Sequence, residues 1–173
     1  MALLDVRLYG DPMLRRKAAP VREVTPEIRR LIADMVETMF HQVGIGLAAP
    51  QVGIPYRLLV MDDGKGGARA LVNPIITKRS GSVVDEEGCL SLPGIYGDVE
   101  RARSITVEAT DEDGQAVDLE CSGMQARVIQ HEMDHLDGVL FIDHLSPVAR
   151  DRIKKKIQKH GFPKERRSRA FAL

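Results

Sequence analysis

The chain has 173 residues, the length of one domain, and 43% of them are hydrophobic while 29% are charged. These values are typical of a soluble globular protein and exclude the disordered classes. No apolar run approaches the roughly 18 residues of a transmembrane helix, and no basic start precedes an apolar run. We therefore expect no membrane span and no signal peptide, and we predict a cytoplasmic protein that does not bind membranes.

Charge is unevenly distributed along the chain, although the formal net charge is zero. Residues 150–173 hold 10 Lys and Arg against 2 Asp and Glu, a net charge of +8, so residues 1–149 carry −8. An acidic body with a basic tail indicates that the tail has a polyanionic partner.

The first part of the chain predicts an arm, one helix and the beginning of a sheet. Asp11 can cap a short turn that has Pro12 at its first position, in an arm laid over the core. The clearest helix begins after Thr25 and ends at Gly44, because apolar residues recur between them at helical spacing. Short or irregular strands are predicted at 57–62, 70–74 and 75–84.

Two segments depart from regular patterns. Residues 44–53 combine small residues, which let backbone approach a ligand closely, with Gln51, whose amide both donates and accepts. A tight helix-to-strand connection is the alternative for this segment. Residues 86–94 contain two glycines and a proline, which predicts a loop around Cys89, although a lone cysteine is most often a buried small hydrophobe. Two cysteines are too few for a disulfide framework, so we expect both as thiols, with Cys121 structural.

The second part of the chain predicts a β-hairpin and two helices. The hairpin is predicted at 104–121, and the helices at 122–138 and 146–161. Together the elements predict an α+β fold in which small, mostly antiparallel sheets pack around a central helix, with an N-terminal and a C-terminal helix. We expect one domain over residues 1–173, with a basic helix and tail at 147–173.

The segment Gln130 to His135 carries the clearest chemistry. On a helix His131 and His135 lie on one face, so both can reach one ion, with Glu132 beside it. A divalent ion acidifies a coordinated water, and the carboxylate can take that proton, which is the logic of the H-E-x-x-H motif. Because the motif fixes only three positions, a polar helix with two solvated histidines is the competing interpretation. A metal site needs a third ligand, and the candidates are Cys89, His41, Asp137, His144 and His160.

Three motifs occur in an order that resembles the bacterial peptide deformylases. They lie at residues 44–51, 87–91 and 130–135, and residues 9–12 also fit, so the likeness spans roughly residues 4–146. Together the motifs are specific, although each alone is not. The resemblance implies removal of the formyl group from the N-terminal formyl-methionine of nascent peptides, giving formate and a free amine. A zinc peptidase and a non-catalytic protein with a structural ion are the rival classes.

The resemblance also implies the ligands and the proton carrier. Cys89, His131 and His135 would hold one divalent ion, Fe²⁺ in the cell and Zn²⁺ or Ni²⁺ after purification. Glu132 would move the proton from water to the departing nitrogen. The Gln51 amide and the Leu90 backbone N–H would donate to the oxygen that gains charge.

Substrate contacts are implied in the same way. They are expected from Ile45, Gly46, Glu87, Gly88, Tyr96, Met124 and Val128. Arg101 is expected to pair with Glu87 and brace it. Tyr96 stands where some relatives carry arginine, and Arg127 lies near positions that are often apolar. The resemblance therefore does not define which substrate side chains beyond methionine the site prefers. We expect a monomer whose basic helix docks on the ribosome near the peptide exit through Lys154, Lys155, Lys156 and Lys159, with a merely solvated helix face as the alternative.

Overall fold

The computed structural model describes residues 2–164 and 173. The α-helices in these residues are α1 (Pro26–His41), α2 (Gly123–Leu136) and α3 (Pro147–His160), with 3-10 helices at Pro12–Arg15, Ala49–Val52 and Phe141–His144. The strands are β1 (Gly46–Ala48), β2 (Leu58–Asp62), β3 (Ala68–Ser80), β4 (Val83–Cys89), β5 (Leu92–Arg101), β6 (Ser104–Thr110) and β7 (Ala116–Ser122).

Two antiparallel sheets surround α2. One has five strands in the order β1-β2-β3-β6-β7, and the other is the hairpin of β4 and β5. Seven consecutive residues of α2, 126–132, are buried, and the helix contacts β1, β2, β6 and β7. The predicted α+β class, with small antiparallel sheets around a central helix, is confirmed. The division into domains stays a prediction, and residues 165–172 of the predicted tail lie outside the described residues.

The first helix begins as predicted but ends earlier. The Thr25 hydroxyl accepts from the Ile28 N–H at 3.3 Å, which caps α1. The helix ends at His41 rather than continuing to Gly44, and Val43 adopts a left-handed φ of 59° with its side chain exposed. The apolar pattern had included Val43 because spacing alone does not show which residue leaves the helix.

The predicted strand pair at 75–84 is wrong. Strand β3 instead continues through Pro74 to Ser80, and its register with β6 shifts between Val72 and Ile75. Asn73 at this irregularity has a φ of 51°, and its side-chain amide exchanges two 2.8 Å hydrogen bonds with the backbone of Val21. A bulge thus accommodates a proline that had been interpreted as the end of the strand.

None of the helices in residues 2–164 is long and apolar enough to cross a lipid bilayer. The last of them, α3, begins and ends where the sequence indicates, since the Ser146 hydroxyl caps its first turn by accepting from the Ala149 N–H at 3.2 Å. It rests on the core through Ile153 and Ile157, and none of its residues is fully buried.

Candidate metal centre

Cys89 lies in a strand, not in the loop predicted for residues 86–94. Strand β4 runs to Cys89, and β5 begins at Leu92, so only two residues turn the chain. Gly88 does not break the strand, because the ring of Tyr96 occupies the space of a side chain. A Cβ on Gly88 would lie 2.6 Å from Tyr96 Cε1. The glycine therefore serves close packing at the end of a strand.

Helix α2 and strand β4 bring three potential ligands together. The ligand atoms of Cys89, His131 and His135 lie within 4.8 Å of one another, and all three residues are buried. The Cys89 Sγ lies 3.4 Å from His135 Nε2. In the part of the chain that the structure describes, no other group of three His, Cys, Asp or Glu side chains has this geometry. The remaining candidates for a third ligand lie elsewhere: His144 pairs with Asp134, Asp137 pairs with Arg57, and His41 and His160 are exposed.

The donor set fits a divalent transition-metal ion. His131 Nε2 is buried and has no hydrogen-bond partner among the described residues, and His135 Nε2 lies 3.4 Å from Cys89 Sγ. Burial lowers the pKa of His135 well below its usual value, so this imidazole is neutral and can donate a lone pair. Burial also raises the pKa of Cys89, with a further contribution from Glu132, so the protein alone holds a thiol that an ion would convert to thiolate. One thiolate with two imidazoles suits Zn²⁺ or Fe²⁺.

Glu132 is a buried acid without a partner. Its side chain has no exposed surface, and neither carboxyl oxygen has a hydrogen-bond partner among the described residues. Burial raises its pKa well above the ordinary value of 4.5, and Glu87 contributes in the same direction. The carboxyl group lies against β1, since a Cβ on Gly46 would be 2.6 Å from Glu132 Oε1. A carboxyl group held in this way can exchange a proton with a molecule that enters between α2 and β1.

Glu87 orients the first histidine. Its Oε1 lies 2.8 Å from His131 Nδ1, and Arg101 donates to both of its oxygens at 2.9 Å. Burial alone would raise the pKa of Glu87, but the hydrogen bonds from Arg101 and His131 hold it well below its usual range. Because Glu87 is ionised, His131 donates through Nδ1 and presents its lone pair on Nε2. The Glu87 side chain has no exposed surface, so any contact with a peptide would come from its backbone.

Arg127 is a member of this network that sequence reasoning missed. Its Nη1 donates to Glu87 at 2.6 Å and to the Val99 carbonyl at 2.9 Å, while Nη2 donates to the Val83 carbonyl at 2.9 Å. The side chain is buried, so two guanidinium groups share one carboxylate. The available signal was a charged residue four positions before His131 on a buried helix face. Its partner, however, is 40 residues distant in the sequence.

Gln51 lies beside the metal ligands on the 3-10 helix that follows β1. Its Oε1 accepts from the Ala48 N–H at 2.9 Å, which fixes the amide orientation. Its Nε2 donates to Ser91 Oγ at 3.1 Å and lies 3.6 Å from Cys89 Sγ. Ser91, which is fully buried, is a second positioning residue that sequence reasoning missed.

The N-terminal arm joins the two segments that carry Gln51 and Cys89. The Arg7 N–H donates to the Gln51 carbonyl at 2.6 Å, and the Tyr9 N–H donates to the Ser91 carbonyl at 2.8 Å. The arm therefore bonds to both sides of the site from a single short stretch of chain.

Two cavities flank the site. One of about 230 Å³ contains three of the predicted substrate residues. It is lined by Ile45, Met61, Asp62, Gly64, Met124, Gln125 and Val128. The other, of about 260 Å³, includes Cys89, Leu90 and Tyr96 in its wall. Strand β1, which contains Gly46, is the edge strand of its sheet, so one side of its backbone is available for pairing.

Comparison with known proteins identifies the family. A sequence model of the family described as polypeptide deformylase matches residues 3–151. The chain belongs to this family. It is 51% identical over 162 residues to the peptide deformylase of Alkalilimnicola ehrlichii, covering 92% of this chain and 91% of that protein. The structure of the deformylase from Legionella pneumophila is 41% identical with a TM-score of 0.87, covering 91% of this chain and 95% of that one. For the Thermus thermophilus enzyme the identity is 48%, the TM-score 0.85 and the coverage 91% and 94%.

Membership makes the chain a deformylase, a metal-dependent hydrolase that acts on nascent peptides. Neither the zinc peptidase nor the non-catalytic protein is favoured. The Cys-His-His group in the structure agrees with the metal dependence of the family.

Proposed function

We propose that Cys89, His131 and His135 hold one Fe²⁺ ion in the cell and that Glu132 is the proton carrier for hydrolysis of N-formylmethionyl peptides in the cytoplasm. The observation that carries this proposal is the juxtaposition of three convergent ligand atoms with a buried carboxyl group whose two oxygens lack partners. When bound, the ion would polarise the formyl carbonyl and lower the pKa of a nearby water. Zn²⁺ and Ni²⁺ accept the same donors and are the expected substitutes after purification.

Glu132, Gln51 and Leu90 take part in different steps of the reaction. Glu132 removes a proton from the attacking water, whose oxygen forms the new bond to the formyl carbon. The Gln51 Nε2 and the Leu90 N–H donate to the carbonyl oxygen as it gains negative charge. The bond from carbon to nitrogen then breaks, and Glu132 returns the proton to the nitrogen. The products are formate and a peptide with a free amino terminus.

The substrate peptide would bind as an added strand. Backbone groups of Ile45 and Gly46 at the edge of β1, and of Gly88 at the end of β4, are positioned to pair with it. The 230 Å³ cavity is apolar where Ile45, Met124 and Val128 line it, which suits a methionine side chain. The tight space between Gly46 and Glu132 favours formyl over larger acyl groups, because even a single added Cβ on Gly46 collides with the carboxyl group.

Replacing Glu132 by Gln tests the mechanism. We expect formate release from formyl-Met-Ala to fall at least about 100-fold, because general acid–base catalysis contributes roughly 10²–10⁴-fold. Bound metal, measured by elemental analysis, should stay at the wild-type level because Glu132 is not a ligand. The matched control is Asp118→Asn, which neutralises an exposed acid on β7. Normal turnover in Glu132→Gln, or internal cleavage of an unformylated peptide without formate release, would contradict the proposal.

The metal is tested on the wild-type protein. Anaerobic purification followed by elemental analysis should find Fe²⁺ in proportion to specific activity. A protein isolated in this way with full activity and stoichiometric Zn²⁺ would show that iron is not the resident ion.

We further propose that α3 docks the enzyme on the ribosome as a monomer. Its lysines Lys154, Lys155, Lys156 and Lys159 are all exposed, and only an apolar strip of the helix touches the core. A polyanion such as ribosomal RNA would bind this face by displacing counterions. Replacing Lys154, Lys155 and Lys156 by Gln should weaken cosedimentation with ribosomes. It should also reduce the slope of log affinity against log salt by about 0.7–0.9 for each lost contact.

The control for the docking experiment replaces Lys65 and Lys78, which lie outside α3 and are exposed. Both variants should turn over short formylated peptides at the wild-type rate. Unchanged ribosome affinity in the α3 variant would exclude the docking surface, and light scattering tests the monomer.

A further inference from the structure

Leu173 lies in the proposed substrate site. Its side chain is buried, with 2% of the residue exposed. Its N–H donates to the Gly88 carbonyl at 3.3 Å, and its own carbonyl oxygen accepts from the Leu90 N–H at 3.2 Å. The Leu90 N–H is the group proposed to stabilise the developing oxyanion. Leu173 therefore engages the same donor that the substrate carbonyl needs.

The side chain of Leu173 packs beside the proposed methionine pocket without filling it, since Leu173 does not line the 230 Å³ cavity. It belongs to the buried cluster that contains Val128 and Ala48, and Ile45 packs against this cluster. Leucine and methionine side chains are both apolar and of similar volume, so methionine at position 173 would keep this packing at small cost. Two backbone hydrogen bonds to residues two apart, together with a buried side chain, constitute the recognition mode of an added strand.

Two residues that follow α3 pack on the hairpin of β4 and β5. Phe162, just after α3, packs against the cluster that contains Leu92 and Ile95. Pro163 lies against the same hairpin, since a Cβ on Gly94 would be 2.8 Å from the Pro163 carbonyl oxygen. The nine steps from Lys164 to Leu173 span at most about 30 Å when extended. The tail thus begins on the hairpin that carries Cys89, well within reach of the site.

We propose that the peptide site of this deformylase also binds a leucine residue, and that Leu173 of the same chain occupies it in the resting enzyme. This inference rests on the proposed placement of the substrate. A tethered ligand experiences an effective concentration of the order of mM, so even weak contacts hold it in place when substrate is scarce. Formylated peptide must displace it, which raises the KM without changing the chemical step. Leu173 therefore occupies the site when no substrate peptide is bound.

Deleting Leu173 provides the first test. We expect the KM for formyl-Met-Ala to fall about 3- to 10-fold while kcat stays the same, because a tethered occupant at mM effective concentration competes only with binding. Leu173→Asp should behave like the deletion, and Leu173→Met should retain the wild-type KM. The effect should not depend on protein concentration. A dependence would mean that a second copy supplies the leucine and would overturn the intramolecular assignment.

A synthetic peptide of residues 166–173, Arg-Arg-Ser-Arg-Ala-Phe-Ala-Leu, provides a readout independent of turnover. Calorimetry should detect one binding site for it on the metal-loaded enzyme that lacks Leu173, and weaker binding to the full-length enzyme. The same peptide ending in Asp should not bind. As a control for activity, the peptide should inhibit the truncated enzyme competitively with formyl-Met-Ala.

The outcomes separate this inference from the function on which it rests. Formate release with an unchanged KM in the deletion variant, together with no peptide binding, would refute self-occupation and leave the deformylase mechanism intact. Absence of formate release from every variant would refute the mechanism. In that case calorimetry alone decides the inference: binding that requires the terminal leucine supports it, and the absence of binding overturns it.

Discussion

A methyl group added at Gly46 should disable catalysis while leaving the fold intact. The Cβ of Gly46→Ala would lie 2.6 Å from Glu132 Oε1 and 2.8 Å from Val128 Cγ1, whereas ordinary contacts begin at 3.4 Å. The carboxyl group must therefore move by about 0.8 Å or rotate. A misplacement of about 1 Å costs roughly 100-fold in rate, which corresponds to about 2.7 kcal/mol of transition-state stabilisation. Overpacking of this kind should also lower the free energy of unfolding by about 1–3 kcal/mol.

The assay compares kcat and KM for formyl-Met-Ala with metal content and with the urea midpoint. We expect the loss in kcat, because the displaced group is the proposed proton carrier, and we expect metal content to be unchanged. The matched control is Gly97→Ala, whose Cβ would lie 2.9 Å from Leu145 Cδ2. It should cost comparable stability without loss of activity. A folded, metal-loaded Gly46→Ala enzyme with wild-type kcat would refute the placement of Glu132 against β1.

Three further predictions concern charges and the ion. Glu87→Gln leaves the buried guanidinium groups of Arg101 and Arg127 without a full counter-charge. Urea titration should therefore show a free energy of unfolding lower by about 3–5 kcal/mol. Metal competition should show a metal affinity lower by about 10- to 100-fold. Burial would raise the pKa of Asp143, but the hydrogen bond from Arg15 holds that pKa below the ordinary 3.8. The contribution of the ionised carboxylate to folding stability is therefore complete above about pH 4, and it is lost as pH falls through the lower pKa of the folded state. Because the pair is partly exposed, the stability difference between wild type and Asp143→Asn should be only about 0.2–1 kcal/mol at pH 7. It should shrink as pH falls below the ordinary pKa of 3.8, and a difference that does not shrink on acidification would exclude this pair as its source. Chelation should abolish formate release and lower the melting temperature, and Zn²⁺ or Fe²⁺ should restore both; a chelated enzyme that keeps its activity would exclude metal catalysis.

The parts of the site that sequence could predict are those encoded by local spacing. His131 and His135 are four residues apart, so they share a face wherever the helix begins. The helix around them is bounded by Ser122 and Asp137, as the pattern indicates. The loop predicted around Cys89 was wrong because Gly88 was interpreted from its own flexibility. Its strand conformation depends on a ring from the opposite strand, and only the register of the hairpin brings that ring into contact.

The contacts of Arg127 with the charged residues of the site also could not be predicted from the sequence. The resemblance to the family marked Arg127 as unusual, because it lies near positions that are often apolar in relatives. What makes that position stable is an acid on β4 and two carbonyl groups of the hairpin, and these are near only after folding. Sequence spacing therefore predicted that His131 and His135 share a helix face, while the contacts that orient them are tertiary and depend on the fold.

The backbone bonds of the N-terminal arm have a consequence for measuring the site. The amide hydrogens of Arg7 and Tyr9 are bonded to the carbonyls of Gln51, in the 3-10 helix after β1, and of Ser91, in the turn between β4 and β5. Hydrogen exchange at these two amides therefore requires the arm to separate from one segment or the other. Their exchange rates would report separately on the stability of the glutamine side and of the cysteine side of the centre. Two amides near the start of the chain thus measure the integrity of a centre whose residues come from the middle and the end of the chain.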